Sequence, residues 1–455
     1  MILTAFIDRL KSQPKGEDAA LDLYDPEEVF YAVEPLTLLI CPMAGDSTGQ
    51  SAQHIATRLS GRLGLKLQVL DRALTSAKAD TFLPSSLSMA ADLGSSWLKR
   101  HDADLLIWGD TTKTGGWRLR FMSKSVAVQP GASTWTAIDR LEVPALFPDA
   151  YSDLVFACAL AIADPETSAQ YQARRALLDP LMTSVRDLAD GDRSGTLAEG
   201  ATALSAYGAI LLLQGAASGD VKTLEKAVSL SQATLIMGQD AFPPHEEAII
   251  GARIADAMAV ISDLKSGTKL PTKTVDYYRT AVSMIDRSEF PDNWAALNVR
   301  LGLALHGLAL ADEDISLLQQ ASDAMTDATR VWTLTEHPVR WADIQNSLGG
   351  LLLTMGKLSG APDLFDKAIN VFLSIASVWT RTKAPLVWAT TLANLGAALK
   401  EKGTAQGSTA ILSKSIDAFR QAGEVFTELN MERYVAIVDA EVEAIELQLN
   451  PHPAT

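Results

Sequence analysis

The eight residues AGDSTGQS, positions 44–51, follow a short apolar run and precede an amphipathic one. Strand, glycine-bearing loop and helix N-terminus form the setting in which backbone N–H groups hold a phosphate. A phosphate loop of the G-x-x-x-x-G-K-[ST] type also needs a lysine for the β- and γ-phosphate charge. Gly49 and Ser51 fit that pattern, but Ala44 stands at the first glycine and Gln50 at the lysine. The stretch therefore reads first as a structural loop. The alternative is a small anion held by Asp46–Ser51, with Ser47, Thr48 and Ser51 as hydroxyl donors.

Asp46, Asp71 and Asp110 each follow a run with the composition of a buried strand. If those strands are parallel, all three carboxylates lie at the carboxyl edge of one sheet, where α/β folds bind ligands. Clustered carboxylates suit Mg²⁺ or Ca²⁺. Helix capping and turn formation are the commoner uses of aspartate, and they are the favoured reading here.

Little else in the chain could do chemistry. The six histidines, at 54, 101, 245, 306, 337 and 452, form no H-E-x-x-H or other ligand-spaced pair. Cys41 and Cys158 each sit inside an apolar run with no nearby histidine, so neither a disulfide framework nor a nucleophile is expected. No G-x-S-x-G or kinase set is present. The expectation is a non-enzymatic protein with no cofactor and no metal centre.

The elements that would position these residues come in two grammars. LTLLICPM (36–43), LKLQVLD (65–71) and ADLLIWGD (103–110) read as buried strands. QSAQHIATRLSGRL and SLSMAADLGSSWLKRHD read as the helices between them. WRLRFMSKSVAV (117–128), after the turn TKTGG, alternates as an edge strand would and predicts a hairpin. Together these predict a small α/β sheet.

Further on, the chain repeats with a period of 47 residues. Pro244, Pro291, Pro338 and Pro385 are evenly spaced, and Trp294, Trp341 and Trp388 follow the last three at a fixed offset. A small-residue ladder runs Gly208, Ala255, Gly302, Gly349, Gly396. Two more ladders run Ile285, Trp332, Trp379, Phe426 and Tyr278, Met325, Phe372, Phe419. Each period holds two apolar-periodic segments of helical length. Proline suits the first helical turn, where its missing N–H has no partner to lose. A glycine repeated two turns into a helix costs up to about 1 kcal/mol each time, which makes sense only where a neighbouring helix comes close. The aromatic ladders are expected to fill the space between helices.

On these motifs the array resembles tetratricopeptide-type repeats, in particular a 47-residue variety of proteobacterial proteins. TKAPLVWATTLANLG, HPVRWADIQNSLGGLLLTMG and LFDKAINVF carry the match, and LEKAVSL (224–230) gives an earlier copy of the second-helix motif. The resemblance implies a protein partner held on the inner face of the first helices. In such repeats an asparagine just before Leu-Gly clamps an extended peptide. Here that slot holds Arg300, Ser347 and Asn394, with Asn346 one position earlier, all expected at the surface. The departures point to an acidic or irregular partner near Arg300, with Arg340 expected close by. The sheet-forming segment resembles the N-terminal α/β domain of TolB and the related domain beside helical repeats in bacterial regulators.

The expected layout is an N-terminal amphipathic helix and linker (1–32), a small α/β domain (33–149) and a degenerate first helix pair (150–196). Repeats over 197–431 and a capping helix with tail (432–455) complete it. A net charge of −16 over 455 residues excludes a phosphate-backbone binder and an anionic-membrane binder. The start lacks a signal-peptide pattern, and the longest apolar run, at 154–163, is half of the ~20 residues a bilayer span needs. A cytoplasmic adaptor is therefore expected. A ligand-responsive regulatory module and a self-associating array are the other readings.

Overall fold

The computed structural model describes residues 35–76, 79–124, 134–144, 149–163, 168–190, 196–238, 241–265 and 269–450. The helix expected at the N-terminus and the tail from 451 lie outside them. The chain is a small α/β sheet followed by consecutive helices packed pairwise as an α-solenoid. The described residues up to Arg300 form one compact unit and those from Leu301 onward a second.

In the first unit, β1 (Leu36–Ile40), β2 (Leu65–Val69), β3 (Leu105–Thr111), β4 (Trp117–Ser123) and β5 (Arg140–Val143) form one sheet in the order β2-β1-β3-β4-β5. The first three strands are parallel, joined through α1 (Ser51–Leu59) and α2 (Pro84–His101), and the last two are antiparallel additions. The edge position expected for β4 is a correction. β5, too short to announce itself in the sequence, pairs along its outer side.

Strand alternation gives the sheet two faces. Leu38, Ile40, Leu105, Ile107, Leu119, Phe121 and Leu141 face a core shared with α1, α3 (Asp149–Ile162) and α6 (Leu197–Ser218). The opposite face carries Leu106, Trp108 and Met122, then a row of charge: Arg118, Arg120, Arg140 and Glu142. Gly94 of α2 lies so close to this face that a Cβ there would stand 2.7 Å from the Met122 sulfur. The open side of β5 is closed by a helix: the Glu142 N–H donates to Thr202 Oγ1 of α6 at 3.0 Å. An unpaired strand edge is thereby capped.

Residues 150–196, expected as a degenerate pair, hold α3, α4 (Ser168–Leu178) and α5 (Met182–Asp190). α3 packs on β4 and α1 as well as on α5 and α6, so it is a layer of the sheet as much as of the helical array. The pairs α6 with α7 (Val221–Met237) and α8 (Pro244–Leu264) with α9 (Thr272–Met284) follow, then α10 (Pro291–Asp312).

In the second unit α11 (Ile315–Thr329) precedes α12 (Pro338–Ser359) with α13 (Pro362–Val378), and α14 (Pro385–Gln406) with α15 (Thr409–Glu428). α16 (Glu432–Leu449) packs on α15. Each of the four periodic prolines is the first residue of its helix. Two of the sequence ladders are the halves of one contact. A Cβ on Gly302 would meet Met325 at 2.7 Å, one on Gly396 would meet Phe419 at 3.0 Å, and one on Gly349 would enter the Phe372 ring. The glycine is bare because the second helix of its own pair seats an aromatic or methionine side chain against it.

Among the described residues two helices, Leu197–Ser218 and Pro291–Asp312, are long and apolar enough to cross a membrane, and 83% and 67% of their apolar windows are buried inside the protein.

Candidate functional site

The loop at 44–51 is built around its own carboxylate. Asp46 Oδ1 accepts from the Thr48 N–H at 2.8 Å and the Thr48 hydroxyl at 2.6 Å, while Oδ2 accepts from the Ser51 N–H at 2.8 Å. Ser51 Oγ in turn accepts from the Met43 N–H at 2.9 Å, tying the loop to the end of β1. Asp46 thus occupies the donors that an incoming phosphate would need. Partial burial raises its pKa, but the bonds from Thr48 and Ser51 outweigh that and hold it well below the usual carboxylate range. Asp46 thus acts as a turn former that also takes the first N–H of α1, whose N-cap residue, Gln50, makes no side-chain cap bond. Ser47, beside it, is exposed.

The three parallel strands do bring Asp46, Asp71 and Asp110 to one sheet edge, yet the carboxylates do not converge. Asp71 is exposed and shares a shallow depression with Asp46 on the β2 side. Asp110 is engaged elsewhere: Arg118 Nη1 donates to its two oxygens at 3.1 and 3.0 Å, and Thr81 Oγ1 to Oδ2 at 2.7 Å. Among the described residues no group of three or more His, Cys, Asp or Glu side chains is placed to hold a metal.

The expected groove residues depart further from expectation. Asn346 and Asn394 are 0% exposed and Ser347 is 4% exposed, so the surface placement is corrected. Asn346 Nδ2 donates to Thr391 Oγ1 at 3.0 Å, Asn394 Nδ2 lies 3.4 Å from Asn346 Oδ1, and Ser347 Oγ donates to the Asp343 carbonyl. These amides join α12 to α14 rather than facing solvent. Arg300 is also largely buried, its Nη1 donating to Asp256 Oδ2 at 2.9 Å, while Tyr278 Oη donates to Asp256 Oδ1 at 2.6 Å. Arg340 is half-buried, with its guanidinium 4.5 Å from the Trp332 ring centre. A repeat slot shows where a residue sits along a helix. It does not show whether the next helix covers it.

A buried charge network was missed by sequence reasoning. Glu246, in the first turn of α8, accepts from Arg120 Nη2 at 3.1 Å and from Arg140 Nε at 3.1 and 2.9 Å. Arg140 also donates to Glu142, Glu142 accepts from Arg118 Nε at 3.2 Å, and Arg118 reaches Asp110. An unbroken chain of ion pairs so runs from the carboxyl edge of the sheet to the N-terminus of α8, where the helix dipole also favours a carboxylate. His245 beside it is buried, and burial together with Arg120 and Arg140 brings its pKa down to about 4. A second buried set joins α8 to the segment before β5. Arg253 Nε donates to the Thr134 carbonyl at 2.7 Å, Nη1 to Ser205 Oγ at 3.1 Å, and the guanidinium pairs with Asp139. The only signal was the alternation W-R-L-R-F, read as that of an edge strand. The charged face is buried instead, because Glu246 arrives from far along the chain.

No family model matches the sequence, and no curated protein does. Among solved structures, the crystal structure of BtubC (BKLC) from P. vanneervenii is similar at 16% identity, covering 58% of this chain and 93% of that chain, with a TM-score of 0.37.

Proposed function

We propose that this protein is a non-enzymatic interaction scaffold of the tetratricopeptide type, a cytoplasmic adaptor that holds a protein partner on its helical array. The observation that carries the reading is the recurrence of one helix-pair contact at Gly302, Gly349 and Gly396, each against its own partner side chain. Repetition of this kind builds an extended preformed surface, on which many weak contacts add up at little ordering cost. The buried asparagines are committed to holding helices together. Contact with a partner therefore falls to exposed positions such as Val339, beside the half-buried Arg340 at the start of α12. Affinity capture from the source cell, comparing wild type with a Val339→Asp, Arg340→Glu variant of unchanged circular dichroism, tests this. A partner lost only with the variant supports the adaptor; no specifically enriched partner sinks it.

The second reading is a ligand-responsive module of the TolB-like regulatory kind, in which an anion, nucleotide or metal at the sheet's carboxyl edge alters the array. It is favoured by the ion-pair chain from Asp110 through Arg118, Glu142 and Arg140 to Glu246. A rise in melting temperature with a nucleotide or divalent cation, lost in Asp110→Asn, supports it, and no shift across the set removes it. Self-association of the array is read directly by light scattering.

A further inference from the structure

The two edges of the sheet are treated differently. The outer side of β5 is closed by Thr202 of α6, whereas β2 has no strand paired along its outer side among the described residues. The parallel ladder fixes which groups that edge presents. The Leu36 N–H donates to the Gly64 carbonyl and the Leu70 N–H to the Ile40 carbonyl, each at 2.9 Å, so the even-numbered residues from Gly64 to Leu70 turn to β1. The N–H and C=O groups of Leu65, Leu67 and Val69 therefore point outward, a template for one more strand. β2 holds no proline, and its register with β1 runs through all five residues without a bulge. Within the strand, only the charge of Lys66 selects what can pair there.

The flanks of the edge set the chemistry of a newcomer. Lys66 and Gln68 share the α2 side of β2, where Gln68 Nε2 and His101 Nδ1 lie 2.9 Å apart. Arg72, just past β2, holds its guanidinium 4.6 Å from the Trp97 ring centre on the same side. Met89, Leu93, Trp97 and Arg100 follow one another along α2 at three- and four-residue steps and so share one flank. Lys66, Arg72, Lys99 and Arg100 are exposed, against the exposed carboxylates Asp71 and Asp102. Asp104 is already taken up by the Thr37 N–H and Lys124. In a chain of net charge −16, this edge is a local reversal of sign. The other side of β2 is apolar: Leu65 and Leu67 pack against the core, and Leu63 and Val69 are exposed beside them.

We propose that the outer edge of β2 takes an extended acidic segment of a partner protein as an added strand. Its backbone pairs with Leu65, Leu67 and Val69, the mode of recognition known as strand addition. Carboxylates at every second position face Lys66, Arg72 and Arg100, and apolar residues between them lie beside Leu63 and Val69. The seat belongs to the sheet and does not rest on the adaptor reading of the helical array.

The test uses the full chain and the fluorescein-labelled peptide acetyl-Glu-Val-Glu-Val-Glu-Val-Glu-amide, followed by fluorescence anisotropy. Saturable binding at micromolar concentration is expected, weakening as salt is raised. The lysine counterpart, acetyl-Lys-Val-Lys-Val-Lys-Val-Lys-amide, should not bind. Lys66→Glu, Arg100→Glu should cut affinity about tenfold, since two exposed ion pairs become repulsive. Val69→Pro removes an outward N–H at an edge, where proline is tolerated, and should abolish binding with unchanged circular dichroism. If that variant fails to fold, the peptide N-methylated at every residue decides on wild type. Amide exchange of Leu65, Leu67 and Val69 should slow when the peptide is added. Slow exchange without peptide overturns the proposal, by showing a second copy on the edge if it depends on protein concentration and the chain itself if it does not. No saturable binding, equal binding of the lysine peptide, or binding undiminished by Val69→Pro or by N-methylation each overturns it as well.

Discussion

Glu246 and Arg140 stand 106 positions apart in the chain and meet side by side, with Arg140 Nε 3.1 and 2.9 Å from the two carboxylate oxygens. Both side chains are essentially inaccessible to water, at 2% and 1% exposure. Arg120 completes the group from the next strand, so one carboxylate is shared by two guanidinium groups. The α/β layer and the helical array meet here through charge as well as through apolar packing.

Glu246→Ala is expected to lower stability by about 3–5 kcal/mol, because it leaves two guanidinium groups buried without a counter-charge. Urea denaturation followed by circular dichroism measures this. Replacing the trio together, as Arg120→Met, Arg140→Met, Glu246→Leu, should recover most of the loss. A triple variant as unstable as the single one would show that the charges themselves are needed.

His306 supplies part of the pH dependence, beside His245. It is buried in α10, its Nε2 has no hydrogen-bond partner among the described residues, and burial alone brings its pKa down to about 4. The folded state then binds the proton less readily than the unfolded chain, whose histidine titrates near 6.5. The stabilisation is complete above about pH 6.5 and is lost as pH falls through about 4, a change of at most about 3 kcal/mol. The melting temperature of wild type should drop across that window more steeply than that of His306→Leu.

Gly349→Ala tests the repeat contact. Helix propensity alone would make the change stabilising by up to about 1 kcal/mol. The new methyl enters the Phe372 ring, however, and overpacking costs about 1–3 kcal/mol. A net loss in denaturation midpoint is expected, relieved when Phe372→Leu is added. A gain in the single variant would contradict the packing described for α12 and α13.

Asn346→Ala separates a structural amide from a peptide clamp. The structural role predicts a loss of about 1–2 kcal/mol, since Thr391 and Asn394 lose their shared partner. A clamp would instead leave the melting temperature alone and weaken partner binding.

Legibility in the sequence followed the reach of the pattern. The array was readable because Pro291, Pro338 and Pro385 and the glycine ladder repeat a local rule at a fixed spacing, and each copy reports on the others. β1 and β3 were readable because Leu36–Ile40 and the first residues of Leu105–Thr111 are apolar runs, whereas Leu65–Val69, also expected to be buried, is an edge strand of the sheet with none of its residues buried. β5 was not: four residues, two of them charged, resemble a loop. The burial of Asn346 and Asn394 was hidden for a related reason. A slot in a helix fixes its angular position, whereas its exposure depends on a helix one repeat away. The buried pairing of Arg120 and Arg140 left no sign in the sequence, because their counter-charge, Glu246, lies beyond any local window.

The separation between Arg140 and Glu246 has a consequence for the order of synthesis. At roughly 5–20 residues per second, α8 emerges from the ribosome on the order of 5–20 s after β5. For that interval the nascent sheet carries Arg120 and Arg140 without their carboxylate, and for about the first half of it the outer side of β5 also lacks Thr202. The sheet is translated first and finished late, and Glu246 is the latch that closes it.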